Sequence, residues 1–127
     1  MKFAKYANKK QIYGYEFLSG IPGTIGGSIK MNAGCYGREM SNILHEVTII
    51  DRNKGLCNLP SKKLNMTYRN TKLSRDAIII SAKLKYYKDN KHSINKFNIK
   101  EKRIKSQPIN KLTGGSTFKN PRGYKAW

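Results

Sequence analysis

The chain has 127 residues, with 26 Lys and Arg against 7 Asp and Glu, giving a formal net charge of +19. That length holds one domain at most and buries only about two-thirds of the unfolded surface, so the core is modest. With 38% hydrophobic residues and 11 glycines, the composition excludes a collagen-like repeat and plain disorder.

Residues 1–11 are polar and basic with no opening turn, a start in mid-fold. They lack the apolar segment of a secretory signal, which places the chain in the cytoplasm. No stretch reaches the roughly 18 to 20 apolar residues needed to span a bilayer. Between Gly14 and Gly37 the composition changes, and Ser19-Gly20-Ile21-Pro22-Gly23-Thr24-Ile25-Gly26-Gly27-Ser28 is too rich in glycine for an ordinary helix interior. It is backbone built for close approach: either a cradle of N–H groups for a phosphate, or a tight Pro-Gly turn followed by a helix packed closely on a sheet. No Gly-Lys-Ser/Thr follows and the Gly-x-Gly-x-x-Gly spacing is absent, so neither a P-loop nor a dinucleotide fingerprint is present. Cys35 and Cys57, 22 residues apart, fit neither a metal knuckle nor a disulfide framework and are expected as free thiols.

The β-branched run Glu46-Val47-Thr48-Ile49-Ile50-Asp51 predicts a strand, Asn53-Lys54-Gly55 a turn, and Leu56 to Pro60 a second short strand. Residues 62–74 have mixed spacing and no clear period. Residues 77–87 begin as a continuous apolar run and then alternate, which predicts a strand buried on both faces at one end and exposed at the other. Ile94, Phe97 and Ile104, with Ser93 as N-cap and Pro108 beyond, make 94–106 the best helix candidate. Thr113-Gly114-Gly115-Ser116 reads as a turn.

The basic residues comprise 20 Lys and only 6 Arg, dispersed from Lys2 to Lys125, and Lys, Asn and Ile together supply 46 of the 127 positions. This dispersal favours a solvated surface over a nucleic-acid groove, because base readout favours clustered Arg. A basic module for RNA or another polyanion, without catalytic activity, is the alternative reading. His45 and His92 have no partner spacing for zinc or a nucleophilic triad.

Read whole, the string from Glu16 to Gly37, with Ile29-Lys30-Met31-Asn32-Ala33-Gly34-Cys35-Tyr36 after the glycines, strongly resembles the flavin-binding core of the UDP-N-acetylenolpyruvoylglucosamine reductase family. Two further motifs follow in order. Thr67-Tyr68-Arg69-Asn70-Thr71 is similar to the family's Tyr-Arg-x-Ser motif, and Gln107-Pro108 with Gly115-Ser116-Thr117-Phe118-Lys119-Asn120-Pro121 is similar to its Gly-Ser-x-Phe-Lys-Asn-Pro signature.

The resemblance implies an α+β fold: the second half of a two-part FAD-binding domain of the vanillyl-alcohol-oxidase/PCMH type (1–105), then the beginning of a substrate-binding domain (106–127). It implies an oxidoreductase of peptidoglycan-precursor synthesis, and so of cell-wall biogenesis, cell shape and division. In that reaction NADPH reduces FAD, and hydride passes to the enolpyruvyl ether of a UDP-sugar to give UDP-N-acetylmuramate. Hydride addition leaves an enolate-like carboxylate, which needs a cation and a proton donor. By motif match Arg69 is the cation and Ser116 the donor. Gly20, Ile21, Pro22, Gly23, Thr24, Gly26, Gly27 and Asn32 are the flavin contacts, and Tyr68, Lys119 and Asn120 are the substrate-binding residues, the last two facing the substrate or supporting its pocket. Tyr68 either orients the arginine or packs.

The family's upstream half, with its own pyrophosphate loop, has no counterpart before Tyr13. Its C-terminal catalytic glutamate belongs beyond Trp127, Thr71 stands for the usual serine, and Ser106 occupies a position that is usually basic, with Lys105 displaced by one. The expectation is therefore an incomplete reductase of marginal stability. Its partners would be a UDP-sugar and a separately encoded remainder of the enzyme, with no membrane or specific nucleic acid.

Overall fold

The computed structural model describes residues 2–89, 91 and 118–124. The chain opens with helix α1 (Lys2–Lys9), in which Ala4 and Ala7 are buried and Phe3 packs against the core. These three positions fall on one helical face, the lysines point to solvent, and Lys9 lies in the last turn, where a cation suits the helix dipole. A 3-10 turn (Glu16–Gly20) follows, carrying the buried Phe17 and Leu18. Helix α2 (Ile25–Lys30) then leads into a two-residue hairpin of β1 (Gly34–Cys35) and β2 (Arg38–Glu39), and into the short helix α3 (Met40–Ile43).

The second layer is an antiparallel sheet in the order β4-β3-β5, formed by β3 (Leu44–Asp51), β4 (Gly55–Pro60) and β5 (Ile78–Leu84). Val47 and Ile49 of the central strand are buried in the core with Ile29, Met40, Ile43, Leu44 and Leu64. A register shift between Leu44 and Glu46 against β5 lets both Leu44 and Val47, three residues apart, point inward. This is the α+β class expected. The strand, the Asn-x-Gly turn and the second strand stand where the β-branched run put them. Asp51 caps the turn, accepting from the Asn53 and Lys54 N–H groups at 3.0 and 3.3 Å. Those backbone donors, Asn53 first, hold its carboxyl below the usual aspartate value.

Residues 1–11 contain α1. Gly26 and Gly27 lie inside α2 despite their poor helix propensity. One expectation is corrected. β5 has no end buried on both faces: Ile78 and Ile80 are 63% and 54% exposed, because only one face of the sheet is turned to the core. Leu56, Ile50 and Ile78 make a cross-strand row on the opposite, exposed face. Cys35 and Cys57 are free thiols, as expected. His45 lies exposed on β3, and His92, the helix 94–106, the turn 113–116 and the boundary at 105/106 lie outside the described residues.

Tyr15 ties the two layers together. Its ring meets Phe3 edge-on at 5.3 Å, and its hydroxyl donates to the Lys85 carbonyl just past β5. Burial first, and Tyr87 second, push its pKa from 10.0 up to about 12. The folded state thus holds the phenol proton more tightly than the unfolded chain does. The resulting stability is complete below pH 10.0 and is lost as pH rises through about 12. Tyr15→Phe is expected to lower stability by about 1 kcal/mol at neutral pH. It should also flatten the alkaline loss, read as the difference between the two proteins' urea midpoints from neutral to alkaline pH.

Candidate functional site

The glycine-rich string folds as a turn and a helix packed on the sheet, the second of the two arrangements its composition allows. Ile21 packs on the core, whereas Pro22, Gly23 and Thr24 are exposed. Gly23 has φ +108°, a conformation glycine adopts at little cost, and a Cβ there would meet nothing within 4 Å. Thr24 caps α2, its hydroxyl accepting from the Gly27 N–H at 3.1 Å. Gly26 faces the sheet, where a Cβ would sit 3.6 Å from Ile79 Cβ. Gly20 closes the preceding 3-10 turn. The exposed stretch Pro22-Gly23-Thr24, bare at its middle residue and open above it, fits a planar ring laid against main chain.

The segment 67–74 is fastened over the C-terminal end of α2. Thr67 and Asn70 close a tight turn through paired backbone bonds of 2.9 and 3.1 Å, with Tyr68 and Arg69 at its corners. Arg69 adopts φ +54°, a left-handed conformation that costs a non-glycine residue about 1–2 kcal/mol. Its guanidinium compensates by donating to the Gly34 carbonyl at 2.7 Å and the Asn32 carbonyl at 3.4 Å. Among the described residues two of the five guanidinium N–H donors are used. The Tyr68 ring, itself half exposed, lies 4.9 Å from Arg69 Cζ, worth about 0.5–1 kcal/mol at such a site.

The buried Thr71 hydroxyl donates to the Ile29 carbonyl at 2.6 Å, and Lys30 Nζ reaches back to the carbonyls of Leu73 and Ser74. The Thr71 bond needs only a hydroxyl, which is why threonine serves in place of serine.

Asn32 is built into the scaffold. Its side chain is fully buried, and its amide donates to Glu39 Oε2 at 2.8 Å and the Thr67 carbonyl at 2.9 Å, while Oδ1 accepts from the Ser41 N–H at 2.9 Å. No polar atom of that side chain is left for a flavin, so Asn32 holds the scaffold. Glu39 was not foreseen: it caps α3 in a reciprocal pair with Asn42 and braces Asn32 as well. An acidic residue three positions before an Asn was the one signal available.

Ser116 lies outside the described residues; Lys119 and Asn120 are exposed in the stretch 118–124. Arg69 is brought against the end of α2. Among the described residues no helix is long and apolar enough to cross a membrane, and no three His, Cys, Asp or Glu group as metal ligands.

A model of the FAD binding domain matches residues 2–58 of the chain. The UDP-N-acetylenolpyruvoylglucosamine reductase of Pelagibacter ubique is 43% identical over 122 residues, covering 94% of this chain and 40% of that protein. The reductase of Rickettsia bellii (strain RML369-C) is 42% identical over 126 residues, covering 98% of this chain and 42% of its own length. The crystal structure of the Thermus caldophilus reductase superposes with a TM-score of 0.84 at 28% identity, over 98% of this chain and 46% of that one.

This chain is homologous to the reductase. Its α+β fold is that of a portion of the reductase's FAD-binding architecture, and it spans about two-fifths of the length of these curated relatives. The match to the family model begins at residue 2, so α1, invisible to the sequence pattern, belongs to the shared fold.

Proposed function

We propose that this chain carries the flavin-facing main chain and the substrate-anchoring cation of a UDP-N-acetylenolpyruvoylglucosamine reductase that works with NADPH in peptidoglycan-precursor synthesis. The observation behind this reading is the clamp on Arg69: a guanidinium held by two backbone carbonyls at the end of the helix that the glycine-rich turn opens. FAD, when bound, supplies a hydride acceptor for NADPH and a hydride donor for the alkene. Pro22, Gly23 and Thr24, with the neighbouring Gly20, Ile21, Gly26 and Gly27 backbone, form the surface that receives its ring.

Arg69 takes the charge. As hydride reaches one alkene carbon, the π pair moves to the carbon bearing the carboxylate, and three guanidinium donors remain to hold the enolate-like group. Ser116 Oγ–H then protonates that carbon, which balances the reduction as one hydride and one proton added across the double bond. Lys119 and Asn120 face the UDP-sugar. A polypeptide supplying the remainder of the reductase completes the flavin and substrate sites; the site of action is the cytoplasm.

The test is reconstitution. The purified chain, mixed with the remaining segments of the Pelagibacter ubique reductase, is expected to retain flavin through gel filtration, seen as visible absorbance, and to oxidise NADPH only when the enolpyruvyl UDP-sugar is present. A colourless mixture that folds yet gains no flavin would overturn the proposal.

A further inference from the structure

We infer that Asn32 is the positioning residue for Arg69, a role resting on the reading of Arg69 as the group that binds the substrate's carboxylate. Asn32 lies just past α2 at φ +40°, in the left-handed region that asparagine tolerates better than most residues. One residue thereby acts on Arg69 from two directions. The Asn32 backbone carbonyl accepts from the guanidinium at 3.4 Å. Its side-chain amide holds the Thr67 carbonyl at 2.9 Å, the same carbonyl that accepts from the Asn70 N–H to close the turn around Arg69.

The rest of the side chain is fixed independently, by Glu39 Oε2 at 2.8 Å and the Ser41 N–H at 2.9 Å, so the amide cannot rotate away without leaving buried polar groups unpaired. The turn that carries Arg69 is thus braced by one buried amide, while the guanidinium itself rests on the Asn32 and Gly34 carbonyls.

The test uses the ligand-free chain and the NMR signals of the Arg69 side-chain N–H groups, assigned by their loss in Arg69→Lys. Asn32→Gly keeps the left-handed backbone accessible and removes only the amide. It should speed exchange of the Arg69 protons with water about tenfold, the worth of one hydrogen bond. Asp51→Ala, which removes the cap of the distant β3–β4 turn, serves as the control of comparable stability loss and should leave Arg69 unchanged.

Asn32→Asp retains the acceptor for Ser41 but turns an oxygen toward Glu39 and Thr67, and should free Arg69 as well. Adding Glu39→Gln restores a donor in the Glu39 contact alone and leaves the Thr67 carbonyl facing an oxygen, so the exchange should stay fast. If neither Asn32 variant moves the Arg69 signals beyond the Asp51→Ala shift, or if Arg69 exchanges freely in the wild-type chain, the inference is overturned. None of these readouts needs flavin or UDP-sugar, so a failed reconstitution leaves this result standing.

Discussion

Gly34→Ala is expected to destabilise the chain by about 3 kcal/mol, measured as a fall in the urea midpoint at unchanged slope. A Cβ at this position would lie 2.3 Å from the Arg38 carbonyl oxygen, 2.7 Å from Glu39 Cγ and 3.0 Å from Glu39 Cα. Two of those three atoms are main chain, so no rotamer relieves the clash. The hairpin cannot slide either. Gly34 pairs with Glu39 and Cys35 with Arg38, and Tyr36 and Gly37 between them both have positive φ, +53° and +77°, the pattern of a tight two-residue turn. Displacing β2 also moves Glu39 off Asn32, and displacing β1 moves the carbonyl that holds Arg69 at 2.7 Å.

Gly26→Ala should do the opposite. Its Cβ would make an ordinary contact with Ile79 at 3.6 Å, and alanine is favoured over glycine inside a helix by about 0.5–1 kcal/mol, so the midpoint should rise. The two glycines look alike in the sequence, yet one is required by a neighbouring main chain and the other is not.

That contrast marks how far the residues themselves carry the reading. The β3–turn–β4 unit was legible because a β-branched run followed by Asn-x-Gly has one cheap solution. The position of β5 was legible too, but its exposure was not, since an apolar run does not say whether both faces of a sheet are covered. The helices were hidden for different reasons. α1 offers only Phe3, Ala4 and Ala7 as an apolar face in eight residues, too short for a clear period. α2 carries two glycines whose low propensity is offset by the Thr24 cap and packing on β5.

Arg69 was legible as a residue type at a motif position. What fixes it was not, because the acceptors are the carbonyls of Asn32 and Gly34, and a backbone carbonyl leaves no trace in composition. The anchoring of the Asn32 side chain was hidden for a related reason. An asparagine beside glycines suits a ligand contact and a buried brace equally, and only its burial separates the two.

Arg69→Lys in the reconstituted reductase is expected to lower kcat about 100- to 1000-fold, the effect of removing a donor aimed at charge that develops in the transition state. Folding should change far less, by about 1 kcal/mol, because lysine keeps the positive charge and can still bond one of the two carbonyls. The reason is geometric. The carbonyls of Gly34 and Asn32 are reached from separate nitrogens of one planar fork, at 2.7 and 3.4 Å, with donors to spare. A single ammonium at the same strained corner, φ +54°, cannot hold the scaffold and also present donors in a plane to a carboxylate.

The enolate-like charge is fully developed only after hydride has moved, so the loss should fall mainly on kcat, with a smaller rise in KM for the UDP-sugar. Flavin retention should be unaffected, since the stretch Pro22-Gly23-Thr24, proposed above to receive the ring, is untouched. Equal and large losses in flavin retention and turnover would instead assign Arg69 to the architecture of the domain, and would take the charge-stabilising role away from it.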